Sequence, residues 1–336
     1  MRRRRVHCYI APMTGAASVT TLKQPRFVQL HDERNESLRD ELAAGLLAPA
    51  AAIAPKYFYD ALGSRLFDAI TELPEYYPTR TEAQIMATHA GEIAAEVGTG
   101  RTLVDLGAGN CVKAGRLFAT LRPRRYVAVD ISVEFLRNAL HCLQREHAQM
   151  DMVGVGVDFS QSLQLPPEAG DGARTLFYPG SSIGNFTPDA ARGFLERARM
   201  ASPGGNLLIG VDLVKDKRTL DAAYDDELGI TAAFNLNLLS HVNRLLGSDF
   251  ALRDWRHVAF FDPSASRVEM HLEARHALTL HWPGGERAFA AGERIHTENS
   301  CKYTVEGFDR LLRRAGYDHS RCWTDERGWF AVFAAS

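Results

Sequence analysis

The chain has 336 residues, 46% of them hydrophobic and 24% charged, which is ordinary globular usage and excludes wholesale disorder. Its 39 Lys and Arg against 41 Asp and Glu leave a formal charge of −2, so no global basic field exists to hold nucleic acid or an anionic membrane. No apolar run approaches the ~18–20 residues that span a bilayer, so a soluble protein is expected.

Residues 1–36 are polar and aperiodic and begin with Arg2, Arg3, Arg4 and Arg5. No apolar segment follows the arginines, which excludes a secretory signal and predicts a disordered extension. Between Glu36 and Leu47, the residues Leu38, Leu42 and Leu46 recur at helical spacing, with Ser37 as the expected N-cap. Pro49 and Pro55 end that helix. The segment 55–86 holds Tyr57, Tyr59, Tyr76 and Tyr77. A helix is expected over about 62–72, and a second from Thr79, where Glu82 completes a capping-box pattern. Pro74 and Pro78 predict an extended connection carrying Tyr76 and Tyr77.

From residue 100 strands alternate with helices. Strands are expected at 101–109, 125–132, 152–159, 205–214 and at the start of 173–186. Helices are expected at 111–121, 133–147 and 188–202. That β-α-β rhythm predicts a parallel sheet covered by helices on both faces. Residues 215–260 read as mainly helical, 268–289 as antiparallel strands around a Pro-Gly-Gly turn, 305–317 as a helix and 321–335 as two closing strands.

A glycine turn, Gly107-Ala108-Gly109, follows the first of the parallel strands. Val112 stands where a dinucleotide fingerprint has its third glycine, which counts against a nicotinamide cofactor with its pyrophosphate. Asp105 precedes the turn, Asp130 closes the second strand, and Asp158-Phe159 closes the third. An acid for ribose hydroxyls and an acid plus an aromatic ring for adenine suit S-adenosylmethionine, which carries adenosine without pyrophosphate.

The stretches PKYFYDALGSRLFDAITELPEYYPTR, DLGAGNCVK, FYPGSSIGNFTP, DLVKD and RIHTENSCKY together resemble the S-adenosylmethionine-dependent histidine Nα-methyltransferases of ergothioneine biosynthesis. The resemblance runs from about Ser37 to the C-terminus. It implies an α/β class I methyltransferase core with a seven-stranded, mostly parallel sheet, formed by 81–214 and 303–336. A second, split α+β substrate-binding domain would comprise 37–80 and 215–302. The implied activity moves methyl groups from S-adenosylmethionine to the α-amine of L-histidine, up to N,N,N-trimethylhistidine (hercynine). A cytoplasmic monomer acting on a small molecule is expected.

The resemblance also implies roles residue by residue. Gly107, Lys113, Asp130, Asp158 and Phe159 match cofactor contacts. Tyr76, Asn185, Tyr224, Glu298, Asn299 and Ser300 match contacts to the amino acid, and Tyr59 matches a residue lining the reacting amine. The residue types suit histidine: Asn185 and Tyr224 can donate to a carboxylate, and Glu298 and Ser300 can pair with the imidazole nitrogens. Three other readings stand beside this one: methylation of another amino acid or an indolic amine, an inactive S-adenosylmethionine-binding scaffold, and a nicotinamide oxidoreductase.

Cys8, Cys111, Cys142, Cys301 and Cys322 are odd in number and scattered, which predicts free thiols and a reducing compartment. The twelve histidines show no zinc-binding spacing, so no metal is expected. His296, a lone histidine, reads as structural.

Overall fold

The computed structural model describes residues 23–30, 35–159, 163–170 and 172–336. In chain order the first elements are β1 (Arg26–Gln29), α1 (Asn35–Leu47), α2 (Ala61–Thr71), α3 (Pro78–Thr88) and α4 (Ala90–Val97). The alternating core follows: β2 (Thr102–Leu106), α5 (Val112–Gly115), α6 (Phe118–Leu121), β3 (Arg125–Asp130), α7 (Val133–Glu146), β4 (Met152–Gly156), β5 (Arg174–Tyr178), α8 (Pro188–Ala201) and β6 (Asn206–Asp212). Then come α9 (Lys217–Tyr224), α10 (Ile230–Leu246), β7 (Trp255–Asp262), β8 (Arg267–Ala274), β9 (Leu278–Trp282), β10 (Gly285–Phe289) and β11 (Arg294–Cys301). The chain closes with α11 (Val305–Arg314), β12 (Ser320–Thr324) and β13 (Phe330–Ala335).

β2 and β4 are buried at every position, as strands covered on both faces must be. Among the described residues the main sheet has eight strands in the order β1-β4-β3-β2-β5-β6-β13-β12. It is parallel through β6, and β13 runs antiparallel to both β6 and β12. β2 lies between β3 and β5, so successive connections leave it on opposite sides. That reversal opens a crevice at the C-terminal end of β2, where Gly107 follows. β7, β8 and β11 form a separate antiparallel sheet, and β9 and β10 a hairpin.

Packing separates the apolar residues by segment. One cluster draws only on residues between 38 and 77 and between 220 and 295. There α9 and α10 lie against the three-stranded sheet and α1 and α2 pack on α10, with Phe58 and Phe234 stacked at 4.5 Å. Two further clusters fill the two faces of the large sheet.

Several expectations need correction. The 1–36 extension is not wholly disordered: β1 adds an eighth strand, parallel to β4. Phe27 lies under the Arg137 guanidinium at 4.5 Å and beside His141, and Arg26 pairs with Asp151 at 3.0 Å. Four residues with one aromatic carry too little periodicity to be read in advance. The Arg2–Arg5 run lies outside the described residues. The end of the 215–260 segment is not helical but is strand β7, rich in aromatic residues (Trp255, Phe260, Phe261). The 111–121 helix is broken into α5 and α6. Tyr77 has helical backbone angles (φ −65°, ψ −27°) despite the proline after it. Ser37 sits inside α1 rather than capping it. Among the described residues no helix is long and apolar enough to cross a membrane.

Candidate active site

On the cofactor side, Gly107 and Gly109 take φ of +73° and +52°, backbone that a side chain would strain. The turn they make returns to the end of β3. There Asp130 accepts the Gly109 N–H at 2.9 Å through one oxygen and the Ser132 N–H at 2.8 Å through the other. Burial pushes this carboxyl up and those N–H groups pull it back. Each oxygen keeps acceptor capacity for a hydroxyl. The Phe159 ring borders the turn, 3.6 Å from where a Cβ on Gly107 would stand. Asp158 lies 3.5 Å from the Lys56 ammonium, which also pairs with Glu41 at 2.8 Å. These groups fit a ligand with ribose and adenine. Val112 is exposed and α5 is only four residues long, so the full glycine-rich helix start that holds a pyrophosphate is lacking.

Two residues behave differently from the expectation. Asp105 does not face the crevice: it is buried and accepts the Tyr126 hydroxyl at 2.8 Å, with burial pushing its carboxyl up to about 7. Lys113 is engaged by Glu82 at 2.7 Å. The other Glu82 oxygen accepts the Gly180 N–H at 2.8 Å. Glu82 is therefore no capping-box residue. It is a buried clasp joining α3, the glycine turn and the loop after β5.

The substrate side is a cleft of about 510 Å³, its mouth included, between the large sheet and the α2–α10 layer. Tyr59, Tyr76, Asn185, Tyr224, Glu298 and Ser300 all line it. Tyr59 stands edge-on to Phe67 and Phe234, and Tyr76 edge-on to Phe67 and Tyr224. Burial, then the charges of Glu298 and Asp130, raise the Tyr59 phenol far above its ordinary value. Before a ligand enters the cleft, this holds Tyr59 as a neutral hydroxyl. Asn185 ends the short turn Ser182–Asn185, and among the described residues its amide has no hydrogen-bond partner. Gly184 makes that placement possible, because a Cβ there would meet the Cys301 carbonyl at 2.9 Å. The turn thus presses against β11 beside Ser300.

Glu298 has no hydrogen-bonded partner among the described residues. Burial raises its carboxyl to about 7, opposed by the charge of Lys302. Such a carboxylate is an acceptor in waiting: a ligand N–H would stabilise its charged form. Its neighbour Asn299 is not in the cleft. The Asn299 side chain turns to the opposite face of β11, where its Oδ1 lies 2.9 Å from His296 Nε2. Simple strand alternation would put His296, Glu298 and Ser300 on one face. A bulge between His296 and Glu298 breaks that pattern and moves His296 away from the cleft.

Sequence reasoning missed the buried network behind the cleft. Asp212, at the end of β6, accepts from Lys302 at 2.8 Å, Lys215 at 2.7 Å and the Tyr77 hydroxyl at 2.8 and 2.9 Å. Burial raises the Asp212 carboxyl, but the two ammoniums hold it below its ordinary value. Lys215, depressed by burial, lies at about 8. The Lys302 side chain is fully buried. The signal available in the sequence was a charged residue at a strand end: Asp212 closes the apolar β6, and Lys302 directly follows β11. Phe67, Phe234 and Met270 also line the cleft without any motif to mark them.

Residues 38–336 match the family model described as histidine-specific methyltransferase, SAM-dependent. The chain is 43% identical to histidine N-alpha-methyltransferase of Mycolicibacterium smegmatis, over 90% of this chain and 96% of that one. It is 39% identical to the protein of the same name from Mycobacterium tuberculosis, over 91% and 96%. Ergothioneine biosynthesis protein 1 of Neurospora crassa is 32% identical over 79% of this chain and 31% of its own length. A match over nearly the whole folded part, joined to a crevice suited to adenosine and a cleft with an unpartnered carboxylate, means that this chain belongs to the SAM-dependent, histidine-specific methyltransferase family.

Proposed function

We propose that this protein transfers methyl groups from S-adenosylmethionine to the α-amine of L-histidine, up to the trimethylated product, as the first stage of ergothioneine biosynthesis. The observation that carries this is Glu298, a half-buried carboxylate with no protein partner among the described residues, set two residues from Ser300 on the same wall of the cleft. That pair can accept one ring N–H and donate to the other ring nitrogen, as a neutral imidazole requires. Names of the relatives supply histidine and ergothioneine as the matching substrate and pathway.

When bound, S-adenosylmethionine supplies an electrophilic methyl group on a sulfonium. The chain's own work is orientation. Asn185 holds the substrate carboxylate; Tyr224, whose hydroxyl is committed to Ser300 and Lys302, backs Ser300, which together with Glu298 holds the ring. Tyr59 and Tyr76 close the amine end as neutral hydroxyls able to accept from or donate to nitrogen. A neutral amine is the nucleophile, and the proton released from the methylated nitrogen passes to water, directly or through a tyrosine hydroxyl that hands on its own proton. Fixing nitrogen, methyl and sulfur in line is worth several orders of magnitude in such displacements. Gly107, Asp130, Asp158 and Phe159 hold the adenosine, and Lys113 shapes that site through Glu82. The split substrate domain of 37–80 and 215–302 closes the cleft over the core. We further assign a monomer working in the cytoplasm.

An indolic amine is the strongest rival substrate, and Ser300 counts against it: an indole has no second ring nitrogen, so Ser300 would lose its ring partner. The deciding experiment incubates the protein with S-adenosylmethionine and each of the twenty amino acids, with products read by mass. Mono-, di- and trimethylhistidine are expected. Methylated tryptophan without methylated histidine, or no product at all, overturns the reading.

A further inference from the structure

The cleft wall formed by Ser300 and Tyr224 has a cation directly behind it. The Lys302 ammonium is surrounded by Asp212 Oδ2 at 2.8 Å, Ser300 Oγ at 2.7 Å and Tyr224 Oη at 2.9 Å. An ammonium has three hydrogens and no lone pair, so these three bonds use it completely and leave nothing of it for a ligand. Ser300 Oγ and Tyr224 Oη also lie 2.6 Å apart, so one of the two donates to the other.

Counting what remains defines the surface shown to a ligand. Two hydroxyls own two hydrogens and four lone pairs between them. Lys302 takes one lone pair from each, and their mutual bond uses one hydrogen and one lone pair. A single hydrogen and a single lone pair are left, whichever hydroxyl donates inward. Without Lys302, three lone pairs would face one hydrogen, and the wall would attract donors. The fixed positive charge behind the pair adds to the bias, since it favours a ligand lone pair over a ligand N–H. The charge is held in place from several elements: Asp212 from β6 binds it, with Lys215 and Tyr77 sharing that carboxylate. Glu298, two residues before Ser300 on β11, supplies the acceptor end of the same wall.

We propose that Lys302 is a positioning residue that sets the substrate specificity of the cleft: by occupying lone pairs of Ser300 and Tyr224, it makes that hydroxyl pair a hydrogen-bond donor toward a ring nitrogen with a lone pair. The site then takes a neutral ring that donates at one nitrogen, to Glu298, and accepts at the other. This rests on reading Glu298 and Ser300 as the ring-binding residues.

The test uses the full chain with S-adenosylmethionine and compares L-histidine with an analogue whose acceptor ring nitrogen is replaced by CH, a pyrrolylalanine that keeps one N–H. The parent should prefer histidine in kcat/KM by about 100-fold or more. Lys302→Met should reduce that preference by about tenfold, chiefly through a higher KM for histidine. Lys302→Gln, which keeps neutral N–H donors, should fall between the two. With Ser300→Ala and Tyr224→Phe combined, the preference should already be lost, and adding Lys302→Met should not change it further. Melting temperature and S-adenosylhomocysteine affinity report whether each variant is folded. A parent that accepts the analogue as well as histidine overturns the proposal without any variant. So does a Lys302→Met enzyme that loses both substrates equally, which would mark a packing role. If both lysine variants unfold, a Ser300→Ala, Tyr224→Phe enzyme that keeps the full preference overturns it. A parent that methylates no histidine fails the functional reading instead.

Discussion

The Ser132 hydroxyl donates to the Tyr59 carbonyl at 2.7 Å, across 73 residues of sequence. Ser132 also gives its backbone N–H to Asp130, the acid that closes β3. One residue therefore ties the turn that lines the amine end of the cleft to the strand end that carries the cofactor acid. In an in-line methyl transfer, those are the two parts whose separation must be held.

Ser132→Ala should accordingly lower kcat for histidine by roughly 2- to 10-fold, the worth of one neutral hydrogen bond, with little change in S-adenosylhomocysteine affinity. Steady-state turnover and cofactor titration check this together. Weaker cofactor binding at unchanged kcat would place Ser132 in the cofactor site alone.

Glu298→Ala should cost histidine roughly 10- to 150-fold in kcat/KM, the range for losing a charge-assisted hydrogen bond. Turnover of phenylalanine, which has no ring N–H for Glu298 to accept, should suffer much less, and cofactor affinity should hardly move. Equal losses for both substrates would make Glu298 a structural residue.

The Glu298 carboxyl is raised from an unfolded value near 4.5 to about 7 in the fold. Between those values the folded protein binds the proton more tightly than the unfolded chain does. The stability this contributes is full below about pH 4.5 and is lost as the pH rises through 7. Glu298→Gln lacks that loss. Its melting temperature relative to the parent should therefore climb as the pH rises from 5 to 8, in the absence of substrate. A constant difference across that range would refute the raised carboxyl.

Deleting residues 1–30 removes β1, and with it the Phe27 contacts and the Arg26–Asp151 pair. A stability loss of about 1–3 kcal/mol is expected, or several degrees in Tm for a chain of this size. Phe27→Ala should reproduce a large part of it. Turnover at low temperature should persist, because β1 is the edge strand farthest along the sheet from β6 and its Asp212. An unchanged Tm in the truncated protein would show that the edge strand adds no net stability.

Much of the core was legible. Five apolar runs alternating with helical periodicity are enough to imply a parallel sheet, and each of those strands is present within a few residues of its expected place. Strand β7 was missed because it follows a long helical pattern, and its value lies in pairing with β8, 267–274, rather than in local preference. Asp105 was misassigned because an acid at a strand end reads the same whether it turns outward to a ligand or inward to Tyr126.

Residue chemistry and spacing pointed to an adenosine crevice at Gly107, Asp130 and Phe159, and the family resemblance pointed to Asn185 and Glu298 in the cleft, because each is a local feature that a single segment can carry. The tertiary structure alone decided which polar groups are free to act. Lys113 is taken by Glu82, 31 residues earlier, and Lys302 by Asp212, 90 residues earlier. A bulge before Glu298 puts His296 on the Asn299 face of β11, where the two side chains pair, while Glu298 is left without a partner among the described residues. Periodicity reports which face a residue occupies on an ideal element. Hydrogen-bond satisfaction inside a packed protein depends on donors and acceptors delivered from distant elements, and those arrive only when the chain is folded.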